Sequence, residues 1–128
     1  MQDGKATEFY QGLLDRSCEI DILKHETWSN VEELNGRCAL VTCTSLLKCL
    51  GYRNPTAWKD TMQLASRLLH TDGYLLQLDP SDCDDYGKIP AMEEFANSES
   101  LGLRLEQASE DIPWGEASPM KIIIWQKI

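Results

Sequence analysis

The sequence predicts an α/β domain with mostly parallel strands that ends in an antiparallel strand pair. Three observations lead there. Two short apolar runs, Cys38-Ala39-Leu40-Val41-Thr42-Cys43 and Tyr74-Leu75-Leu76-Gln77-Leu78, read as strands covered on both faces of a parallel sheet. Between them lies a helix with both ends marked: Asn54 as its cap, Pro55 at the first helical position and Gly73 just past its end. Two buried strands joined by such a helix form a right-handed βαβ unit. The last two β-prone segments are separated by a connection too short for a crossover helix, so they are expected to pair antiparallel.

Each element has its own local reason. Asp3 can cap a first helix running to about Arg16, with Ala6, Phe9, Tyr10, Leu13 and Leu14 along one covering face. The alternation in Cys18-Glu19-Ile20-Asp21-Ile22-Leu23 suits a strand nearer the sheet edge. A loop over residues 24 to 30 follows, then a short helical piece at Val31-Glu32-Glu33-Leu34 and an Asn35-Gly36 turn into the central strand. The long helix carries its buried stripe at Trp58, Met62, Ala65 and Leu69, at steps of four, three and four residues. His70, near that helix's end, would complement its dipole. Ile89, Met92, Phe95 and Ala96 share one face of a second helix starting near Pro90. Residues 101 to 106 alternate as a strand, a polar loop holds Pro113-Trp114-Gly115, and residues 120 to 128 form the most β-prone segment.

Composition narrows the function classes. With 128 residues, 42% hydrophobic and 26% charged, the chain reads as a single domain over residues 1–128 with enough apolar side chains for a core. It shows no apolar run near the roughly 20 residues that span a bilayer and no secretory leader, so a cytoplasmic location and no membrane partner are expected. A net charge of −9 opposes attachment to phosphate backbones or anionic lipid, and Arg53, Lys59, Arg67 and Lys88 form no basic run. Nucleic acid is therefore not an expected partner.

Five cysteines, Cys18, Cys38, Cys43, Cys49 and Cys83, make no CxxC pair and read as reduced packing thiols, with a reactive Cys43 at a strand end as the alternative. His25 beside Glu26 invites an acid–base reading, but a loop histidine with no nucleophile or metal spacing near it reads as solvated. The acidic stretch from Asp79 to Gly87 leaves the carboxyl end of a parallel strand, where open α/β sheets bind ligands, and a solvated acidic loop is the alternative. Its spacing of Asp82, Asp84, Gly87, Ile89 and Glu93 resembles a calcium-binding EF-hand loop. Tyr86 and Pro90 stand where that loop needs oxygen ligands, and a strand precedes it where a helix should, so no metal is expected.

The order of elements resembles the carboxyl-terminal part of a class I S-adenosylmethionine-dependent methyltransferase, whose parallel sheet ends in an antiparallel hairpin. The likeness rests on the fourth-strand-like CALVTCTSLL, the long helix, the fifth-strand-like HTDGYLLQLD and the closing PMKIIIWQKI. It implies a partial Rossmann-like sheet, S-adenosylmethionine as cofactor and a small-molecule acceptor. It places His25 and Glu26 where the family contacts adenine, and Thr42, Cys43 and Thr44 at the strand end beside the cofactor. Ser45, Asp79, Ser81, Asp82 and Tyr86 fall on the acceptor side. The family's Asn-Pro-Pro-Tyr signature is absent from the strand end, which removes support for methylation of nucleobase amines. The glycine-rich cofactor turn and the ribose-binding acid have no counterpart before residue 6, so the chain reads as a truncated methyltransferase-like domain. The other function class open to it is a non-catalytic α/β interaction module. An uncovered sheet edge would then take a partner chain or a second copy.

Overall fold

The computed structural model describes residues 21–44, 56–80, 89–114 and 117–128. The expected first helix, the cap residues Asn54 and Pro55, and Cys18, Ser45, Cys49, Ser81, Asp82, Cys83 and Tyr86 lie outside them. A 3₁₀ segment, His25–Leu34, leads to strand β1, Cys38–Thr44. Helix α1, Ala57–Leu68, joins it to β2, Leu69–Pro80, and helix α2, Ile89–Ser98, joins β2 to β3, Leu103–Trp114, before β4, Ala117–Lys127. The four strands form one sheet in the order β1-β2-β4-β3.

β1 and β2 pair parallel, as a βαβ unit requires, and β4 runs antiparallel to both β2 and β3. Three strands therefore point the same way, yet only one adjacent pair is parallel. The expectation of mostly parallel pairing is corrected by the position of β4, which inserts between β2 and β3. The expected antiparallel pairing of the last two strands is present, from Leu103 opposite Lys127 to Trp114 opposite Ala117. Trp114, expected in a loop, belongs to that ladder.

Both helices lie on one face of the sheet. Trp58, Met62, Ala65 and Leu69 are all buried, as their spacing predicts, although the helix ends at Leu68 and Leu69 opens β2. Met92 and Ala96 of α2 complete the layer, and the Trp58 and Phe95 rings meet edge to face at 5.5 Å. Beneath them lie Leu75, Ile123 and Trp125, none of them measurably exposed. Each such aliphatic side chain contributes about 1.5–3 kcal/mol by leaving water. On the other face Leu40 is 57% and Tyr74 42% exposed, so among the described residues the apolar runs lack the cover expected on both sides.

Three local expectations are overturned by backbone chemistry. Gly73 is not a helix terminator. It sits inside β2 within a register shift, where an added Cβ would lie 2.9 Å from the Cys38 carbonyl oxygen, so strand proximity requires the glycine. Asp72 beside it takes φ 72°, the left-handed conformation that aspartate tolerates. His70 belongs to β2 and its Nδ1 meets the Thr71 carbonyl at 2.5 Å, so it is not a helix-end partner. Asp21 to Leu23, expected as the end of a strand, form a turn: the Asp21 carboxylate accepts from Leu23 N–H at 3.0 Å, and Thr27 Oγ1 accepts from Asp21 N–H at 2.9 Å.

Candidate functional site at the carboxyl ends of the parallel strands

The parallel register places Cys43 beside Gln77 and Thr44 beside Leu78 at the carboxyl ends of β1 and β2. Strand alternation then divides the residues singled out from the sequence. Cys43, Gln77 and Asp79 are buried on the helix-covered face, whereas Thr42 is exposed. Asp79 is not in a loop: β2 extends to Pro80, and Asp79 lies opposite Lys121 of β4 with no exposed surface. Of the predicted acceptor-side residues it is the one described, and Ser45, Ser81, Asp82 and Tyr86 lie outside the described residues.

The buried group has a definite electrostatic state. Burial, and then the negative charge of Asp79, push the Cys43 thiol up from 9.0 to about 11. At neutral pH Cys43 is a neutral thiol in the core, which overturns the reactive alternative and agrees with the packing reading. Among the described residues Cys38 and Cys43 are both free thiols.

Gln77 was legible only as the single polar residue in the run Tyr74 to Leu78, and a buried amide in an apolar run needs a partner. Trp125 Nε1 donates to Gln77 Oε1 at 2.7 Å, linking β2 to β4. That bond fixes the amide plane, and Gln77 Nε2 is left buried with no hydrogen-bond partner.

His25 and Glu26 are brought to the opening of the 3₁₀ segment, both exposed. His25 does not stand alone as a loop side chain. Its Nε2 meets Asp60 Oδ1 of α1 at 2.5 Å and its ring stacks on Trp28 with centroids 4.0 Å apart. The contact anchors the 3₁₀ segment against α1. Glu26 makes no such contact among the described residues, and no group of three or more possible metal ligands occurs among them.

No protein-family model and no curated protein matches the sequence. Solved structures similar to the chain include a TehB-like SAM-dependent methyltransferase from Corynebacterium glutamicum, with 18% identity, a TM-score of 0.48 and coverage of 70% of this chain and 47% of that one. A SAM-dependent methyltransferase from Methanosarcina mazei is similar at 9% identity and a TM-score of 0.49, over 73% of this chain and 61% of that one. The antibiotic-resistance methyltransferase Kmr is similar at 16% identity and a TM-score of 0.47, over 76% of this chain and 56% of that one. The chain thus spans about half the length of these structures.

Proposed function

We propose that the chain forms the carboxyl-terminal part of a Rossmann-like methyltransferase sheet and takes part in S-adenosylmethionine-dependent methylation of a small molecule. The observation that supports this reading is topological: a parallel β1-α1-β2 unit followed by a final strand that inserts antiparallel beside β2. In an open α/β sheet of this kind the ligand crevice lies outside the carboxyl ends of the parallel strands. Fold likeness alone leaves the chemistry to the site.

The described residues suit S-adenosylmethionine in part. Thr42 offers an exposed hydroxyl, and His25 and Glu26 are open to a flat, polar group such as adenine. Cys43 and Asp79 are closed under the helices, so in this reading they set the strand ends and do not touch the cofactor. When bound, S-adenosylmethionine supplies a methyl group activated on a sulfonium. The role of the chain is then to align acceptor and cofactor. The net charge of −9 favours a small acceptor over a phosphate backbone.

Calorimetric titration of the 128-residue chain with S-adenosylmethionine, with S-adenosylhomocysteine as the paired ligand, tests the reading. Saturable binding of both at one site is expected. Absence of heat at millimolar cofactor overturns it for this chain. The exposure of Leu40 and Tyr74 favours the second reading, an interaction module that covers this sheet face with a partner. A purely monomeric chain in sedimentation at high concentration contradicts self-association through that face.

A further inference from the structure

We draw no further inference here: the strongest candidate, the surface patch formed by the outer edge of β1 and the exposed Leu40 and Tyr74 beside it, carries nothing because nothing in the structure shows what covers it.

Discussion

The two ends of the parallel strands use opposite chemistry. At the carboxyl end, polar groups are buried and closed off: Asp79 without exposed surface, Cys43 held as a neutral thiol, and Gln77 tied to Trp125 at 2.7 Å. At the amino end polar groups of both charges, Arg67, Lys127 and Glu99 among them, line an open cavity of about 360 Å³. The difference shows how burial decides what a polar side chain does. Enclosed groups are fixed by one another and stabilise the sheet, while groups beside a cavity remain available to something else.

The largest expected break in this comparison comes from Trp125→Ala. Removing a fully buried indole and leaving both ends of the Gln77 amide unpaired should destabilise the fold by about 3–5 kcal/mol. Urea unfolding measures it, and Arg67→Gln at the other end should lower stability by less than about 0.5 kcal/mol. Equal losses for the two variants would remove the distinction between a structural and an open end.

A smaller effect concerns pH. The Cys43 thiol titrates at 9.0 when unfolded and near 11 when folded, so the folded chain holds the proton more tightly. The resulting stability is fully present below pH 9 and is lost as pH rises from about 9 to 11, amounting to roughly 2–3 kcal/mol. This contribution should be absent from the stability curve of Cys43→Ala and should appear as the difference between parent and variant. A variant curve parallel to that of the parent would show that Cys43 is not shielded. The smallest effect is expected where the 3₁₀ segment meets α1 and Asp60→Asn removes the exposed His25 contact. A loss under about 1 kcal/mol is expected in thermal unfolding, and a larger one would make the 3₁₀ segment part of the structural core.

The fold was legible where spacing alone decides it. Trp58, Met62, Ala65 and Leu69 announce their buried face by their steps, and Met92 and Ala96 do the same for α2. Asp79 was misread as a loop residue because an acidic side chain ahead of Pro80 gives no local sign of being paired across from Lys121. Gly73 resembled a helix stop because the close approach of Cys38 that requires it comes from a different strand. The insertion of β4 between β2 and β3 was also hidden, since strand order is set by tertiary packing and not by any one segment. The amino-end cavity left no sequence signal, because Trp28, Arg67 and Lys127 meet only after three distant segments fold together.

The central claim, that the carboxyl end is where a methyl-transfer cofactor belongs, is tested most directly by mapping backbone amide shifts of the labelled chain on addition of S-adenosylmethionine. The account predicts shifts concentrated at His25, Glu26, Thr42 and Thr44, with Arg104, which is engaged with Glu106 and Gln126, unmoved. Shifts confined to residues around Arg104, or no saturable shift anywhere, would contradict it.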